Sequence, residues 1–131
     1  MFFRFCRGFV LACAAAISLS ACTSQPIMNV TEAQVVSNKA NPSLDDVRQA
    51  IIRAGTQLGW QMKADRPGHI VGSLSLRTHV AVVDIDYDRK SYSIKYKDST
   101  NLEYNGSTIH RNYNGWVQRL DQGIKSQLSG I

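Results

Sequence analysis

Between residues 60 and 97 apolar side chains recur at every second position, and on both sides of that span they recur at every third or fourth. A strand turns successive side chains to opposite faces, whereas a helix brings positions three and four apart together. This change of period restricts the chain to helices flanking a sheet. The alternating sets are Trp60, Met62 and Ala64; Ile70, Gly72, Leu74 and Leu76; Ala81, Val83, Ile85 and Tyr87; and Tyr92, Ile94 and Tyr96. Asp65-Arg66-Pro67-Gly68, Arg77-Thr78 and Arg89-Lys90 separate them, short connections of the kind that join antiparallel neighbours. A two-residue turn at Arg89-Lys90 sets Tyr87 against Tyr92, Ile85 against Ile94 and Asp84 against Lys95. Two apolar pairs then share one face and an opposite-charge pair lies on the other, which is the pairing a half-buried sheet needs.

The flanking segments read as helices. Ser43 is placed to cap the first, with Asp46 three residues on as the acid of a capping box. Leu44, Val47, Ile51, Ala54 and Leu58 form its apolar stripe, and Gly59 ends it. In the second, Tyr113, Trp116, Val117, Leu120, Ile124 and Leu128 share a face. Gly115 and Gly123 each weaken that helix by about 1 kcal/mol relative to alanine, so it depends on packing against the sheet. The expected fold class is α+β in two layers: helix, four-stranded antiparallel meander, helix, with both helices on one face of the sheet.

The amino terminus predicts location. Arg4 and Arg7 precede an apolar run from Gly8 to Leu19, and small residues lead to Cys22. That order of charge, apolar run and small residues is a secretory signal, and the run is too short to span a bilayer, which needs about 20 residues. With cysteine directly after Leu19-Ser20-Ala21, the segment resembles a bacterial lipoprotein precursor and its lipobox; the other reading is an ordinary signal peptide that contains a cysteine. The resemblance implies a diacylglycerol thioether on Cys22, cleavage before it and acylation of the new terminus. Residues 1–21 are then the signal, 22–42 the lipidated terminus and a polar tether, and 43–131 a single domain. As a flexible chain the tether would span roughly 25 Å, although Val30, Val35 and Val36 offer it a way to dock on the domain. By analogy with other lipoproteins, an aspartate after the cysteine would favour the inner membrane; Thr23 stands there, so the expected place is the periplasmic face of the outer membrane.

Cys6 and Cys13 leave with the signal, so the folded part has no disulfide and must be held by its core. Once residues 1–21 are removed, 110 of the 131 remain, with 13 basic and 10 acidic side chains. That weak positive balance, without a Lys/Arg cluster, excludes a nucleic-acid partner of the usual type.

The residue types that carry chemistry are present without the spacing it requires. Asp84, Asp86 and Asp88 begin like a calcium loop, but Arg89 stands where the loop needs glycine and Lys95 where it needs a bidentate glutamate. They read as a solvated face paired with Lys95 and Lys97. His69, His79 and His110 are far apart and read as surface or turn residues; no metal or cofactor is expected. Ser99, His110 and Asp98 contain the groups of a nucleophilic trio, yet no Gly-x-Ser-x-Gly elbow accompanies them. The only glutamates are Glu32 and Glu103, which argues against a paired-carboxylate glycosidase.

Tyr96-Lys97-Asp98-Ser99-Thr100-Asn101-Leu102, followed by Ile109-His110-Arg111-Asn112-Tyr113-Asn114-Gly115-Trp116-Val117-Gln118-Arg119-Leu120, resembles a signature of small uncharacterised proteobacterial lipoproteins. In those chains a YxDSxNL stretch precedes an IHxxYNxWVxxL helix start. The resemblance implies a single envelope domain of α/β composition and supplies no activity. On their own chemistry these residues have two readings. Asp98, Ser99 and Asn101 suit turns, and His110 or Asn112 suits a helix cap, so the stretch is a latch between the last strand and the last helix. Alternatively Lys97, Asp98, Ser99, Asn101, His110, Asn112 and Tyr113 gather at the sheet's end as a binding site. The expected function is a non-enzymatic, membrane-anchored interaction module that docks an envelope protein or polymer. The alternative is a carrier of a small or lipidic ligand between helices and sheet, which requires a cavity lined by Trp60, Met62, Tyr96 and Trp116.

Overall fold

Ser43 and Asp46 start the first helix by satisfying each other. In the structure, a computed structural model that describes residues 23–131, Ser43 Oγ accepts from the Asp46 amide at 3.0 Å and Asp46 Oδ2 accepts from the Ser43 amide at 2.8 Å. Two amides that a helix start leaves unpaired are thereby bonded, and α1 runs Leu44–Gln57. Lys39 Nζ, 2.8 Å from the same oxygen, and then the Ser43 amide hold the Asp46 carboxyl down at about 2. Gly59, at φ +88°, turns the chain out of the helix. The signal-like segment and Cys22 lie outside the described residues.

Four consecutive antiparallel strands follow: β3 (Gln61–Arg66), β4 (His69–Leu76), β5 (His79–Tyr87) and β6 (Ser91–Thr100). Tyr87 lies opposite Tyr92, Ile85 opposite Ile94 and Asp84 opposite Lys95. Asp88 shapes that turn. Its Oδ1 accepts from the Lys90 and Ser91 amides at 2.7 and 2.8 Å, and these bonds hold the carboxyl below its ordinary range.

The sheet nevertheless has five strands, in the order β2-β6-β5-β4-β3, and a separate two-stranded sheet pairs β1 with β7. The added strands β1 (Ser24–Pro26) and β2 (Val30–Gln34) come from the segment read above as a tether, and β7 is Thr108–His110. A tether over 23–42 is therefore corrected to a strap that pairs with the body. Its signal was hidden for a physical reason. β1 has three residues, and β2 carries a register shift between Val30 and Ala33 with Glu32 at φ +48°, so no alternation accumulates. A second irregularity, opposite Val82 and Val83, leaves Lys97 as an extra residue in β6. The alternation slips there, and Asp98 and Ser99, which suited a turn, lie in the strand.

One cluster joins the layers. Ile70, Leu74, Ala81, Val83, Ile85, Tyr92 and Ile94 of the sheet meet Val47, Ile51 and Ala54 of α1 and Val117, Leu120, Ile124 and Leu128 of α2 (Arg111–Ser129). Fully burying an aliphatic side chain of this kind contributes about 1.5–3 kcal/mol, so this cluster can hold the domain without a disulfide. Leu58 and Leu76, placed on the buried face by periodicity, are 41% and 44% exposed because each sits at the end of its element. Gly123 has a packing role: a Cβ there would lie 3.3 Å from Leu58 Cδ1 and 3.6 Å from Ala54 Cβ, so its absence lets α1 and α2 approach closely. The opposite face of the sheet carries Val71, Ser73, Val82, Asp84, Asp86 and Lys95 at intermediate or full exposure and looks onto solvent.

Candidate functional site

The structure distributes the seven residues singled out between positions 97 and 113 over several local contacts. Asn101, at φ +57°, donates from Nδ2 to Thr78 Oγ1 at 2.8 Å, and its carbonyl accepts from His79 Nδ1 at 2.7 Å. The His79 ring stacks on His110, with centroids 6.4 Å apart. His110 caps α2, its Nδ1 accepting from the Asn112 amide at 3.2 Å, and its own amide donates to the Leu102 carbonyl at 2.8 Å. These contacts link Asn101, His110 and Asn112 through His79, a residue that sequence spacing gave no reason to include. Ser99 Oγ lies 2.8 Å from the Tyr96 hydroxyl, and Asp98 Oδ1 accepts from the Ser99 amide. Tyr113 is fully buried, edge-on to Tyr96, while Tyr104 stacks on the other side of Tyr96 with centroids 4.0 Å apart. Burial pushes the Tyr113 hydroxyl well above the ordinary tyrosine range. Only Lys97 and Asp98 keep charged groups turned to solvent. Most of these hydrogen bonds run within the segment or to Thr78 and His79 at the β4–β5 turn.

A second constellation lies on the open sheet face, and its centre is His69. Only 7% of this residue is exposed. The irregular pairing of β3 and β4 brings Asp65 beside it, so that Nδ1 lies 2.6 Å from Asp65 Oδ1 and Nε2 lies 2.8 Å from Asp84 Oδ1. A ring that donates from both nitrogens carries the imidazolium charge. The hydrogen bond to Asp65, chiefly, raises the His69 pKa against the effect of burial, and the same bond lowers that of Asp65. Lys97 Nζ stands 3.5 Å from Asp84 Oδ1 and extends the alternation of charge. His69 was expected at the surface or in a turn, and that reading is corrected. The bulge that delivers Asp65 breaks the two-residue period, so no local pattern announced the pair. Around this cluster Asp65, Arg66, His69, Asp84, Lys95 and Lys97 line an open groove of about 530 Å³.

Of the side chains named for a carrier's cavity, Trp60 and Met62 are packed between α1 and the sheet, whereas Tyr96 and Trp116 are half-exposed. Trp60 is buried, and Met62 fills the gap between α1 and the sheet so closely that a Cβ on Gly55 would fall 2.4 Å from its sulfur. Of Ser99, His110 and Asp98, His110 Nδ1 accepts from the Asn112 amide and Ser99 Oγ bonds to the Tyr96 hydroxyl. Among the described residues no group of three or more His, Cys, Asp or Glu is arranged to hold a metal ion, and no helix is long and apolar enough to cross a membrane.

No protein-family model, no curated protein and no solved structure matches this chain.

Proposed function

We propose that the protein is a membrane-anchored bacterial envelope lipoprotein, non-enzymatic, whose folded domain docks an envelope protein or polymer on the open face of its sheet. The observation that supports this reading most directly is the groove around His69. Both helices contribute to the core on one side of the sheet, whereas the other side offers a strip of alternating charge, Asp65, His69, Asp84 and Lys97. Half-exposed Val71 and Val82 stand beside it. Charges held at fixed spacing beside apolar surface favour a partner with complementary charge pairs and disfavour others. Lys97 links this face to the signature segment.

A photoreactive residue in place of Lys97, in intact cells, tests the docking reading, with one in place of exposed Gln49 on α1 as the control. Envelope-protein or polymer adducts from position 97 and none from position 49 support it, and equal or absent adducts overturn it. Lipidation is tested separately. Labelled palmitate must enter the wild-type chain and not the Cys22→Ser variant.

A further inference from the structure

The amino-terminal end of the described chain emerges at a cationic groove. Thr23, one residue after Cys22, accepts a hydrogen bond at its carbonyl from the Arg111 amide at 2.7 Å. Ser24 then pairs with His110, and Gln25 with Ile109. Consecutive Cα atoms are about 3.8 Å apart, so acyl chains on Cys22 would start within a few ångströms of the first turn of α2. No free tether intervenes. Beside this point a groove of about 420 Å³ runs along the first turns of α2, lined by Arg111, Asn112, Trp116, Arg119, Gln25 and Met28 among others.

The chemistry of this groove suits one kind of surface. Arg111, Gly115 and Arg119 are four residues apart and share a side of the helix, which sets the two arginines about 12 Å apart along the axis. No carboxylate lines the groove. The ion pairs among the described residues involve neither arginine, and the first turn of α2 carries no acid. Trp116 is half-exposed between them. Guanidinium groups recognise phosphate by paired hydrogen bonds. Tryptophan favours the depth of lipid headgroups.

We propose that this groove is a headgroup seat: Arg111 and Arg119 engage phosphates of anionic lipids in the bilayer that holds the Cys22 acyl chains, with Trp116 at the interface. The domain then rests on the membrane along the first two turns of α2. The seat rests on the lipoprotein reading, because the anchor is what brings this face to the bilayer. An acyl anchor reinforced by nearby cations is a second, electrostatic attachment signal.

The test uses the mature chain purified from cells and reconstituted in vesicles of phosphatidylcholine, with or without phosphatidylglycerol. A fluorophore is attached through Gln118→Cys beside the groove, or through Ser75→Cys on the open sheet face as the reference, and a lipid-borne headgroup quencher reports proximity. Flotation with the vesicles reports anchoring. The expected result is flotation with both vesicle types, and quenching at position 118 that rises with phosphatidylglycerol while position 75 stays unquenched. In R111E/R119E, and in the milder R111Q/R119Q, flotation persists but the added quenching is lost, because two cations near an anionic surface shift the seated population by about thirtyfold. Flotation with equal quenching at both positions, or quenching unaffected by either double substitution, overturns the seat and leaves the anchor standing. A chain that floats with neither vesicle overturns both.

Discussion

His69 and Asp65 meet across the β3–β4 hairpin at 2.6 Å, Nδ1 to Oδ1, and the His69 side chain is almost fully covered. Their linkage to pH has a definite sign. The folded His69 pKa lies above its ordinary 6.5, so its contribution to stability is complete below that value and is lost as pH rises through the folded pKa. The folded Asp65 pKa lies below 3.8, so its contribution is complete above that value and is lost as pH falls through the folded pKa. The pair therefore stabilises most in weak acid. By nuclear magnetic resonance, the His69 imidazole should titrate above 6.5. Asp65→Asn should lower that titration and destabilise the domain near pH 5.5. The cost should shrink by pH 9. A loss that is the same at both pH values would rule out the ionic account.

Two buried tyrosines separate a bonded hydroxyl from an orphaned one. Tyr92 donates to Asp121 Oδ1, tying β6 to α2, and Asp121 also holds Lys125 Nζ at 2.9 Å. The Tyr113 hydroxyl is buried with no partner. Removing one partner of a buried bond costs about 1–3 kcal/mol, whereas removing an unsatisfied group costs little or stabilises. Tyr92→Phe should therefore lower the midpoint of thermal unfolding by several degrees, and Tyr113→Phe should leave it unchanged or raise it. Equal losses in the two variants would contradict this assignment.

Legibility followed the range of the interactions. The β5–β6 register could be worked out from Tyr87, Ile85 and Asp84 because one two-residue turn determines every pair that follows, and α1 was marked by its own Ser43 and Asp46. What escaped was produced by distant pairing or by slipped register. Ser24–Pro26 becomes a strand only because Thr108–His110 waits for it, and nothing in a three-residue polar segment encodes a partner so far along the chain. Asp65 reaches His69 through a bulge, and Lys97 is displaced by another, so these two residues of the charged groove sit where alternation fails. The signature segment was visible as residues. The contacts of Asn101 and His110 with His79 were not, since His79 lies 22 residues before Asn101 in the chain.

Helical glycines give a third prediction, because sequence treats them alike and packing does not. At Gly115 an added Cβ meets nothing within 4 Å, whereas at Gly55 it lies 2.4 Å from the Met62 sulfur. Gly115→Ala should stabilise by about 0.5–1 kcal/mol through helix propensity alone. Gly55→Ala gains the same propensity but must displace Met62 from its place between α1 and β3, and overpacking of this kind costs about 1–3 kcal/mol. It should destabilise, and Met62→Ala in the same chain should recover part of the loss by opening space. Urea midpoints for the three variants decide the matter. A stabilised Gly55→Ala would show that Met62 relocates freely.

Asn114 is the fastening of the amino-terminal strap, and it separates a strap from a tether. From the first turn of α2 its Oδ1 accepts from the Met28 amide at 2.9 Å, and its Nδ2 donates to the Pro26 carbonyl at 2.9 Å and to Gln25 Oε1 at 3.3 Å. No aliphatic side chain can replace that bridge, because it both donates and accepts. Asn114→Ala should leave the core strands intact and loosen β1, since local opening is governed by the bonds of the segment itself. Losing about 1.4 kcal/mol of them speeds amide exchange about tenfold. The amides of Ile27, bonded to the Ser107 carbonyl, and of Arg111, bonded to Thr23, report the opening, with those of β4 and β5 as internal references. Faster exchange at Ile27 and Arg111 alone is the expected pattern. If wild-type Ile27 already exchanged at the rate of an unstructured peptide, residues 23–29 would be a tether after all, and the proposed headgroup seat would lose its premise.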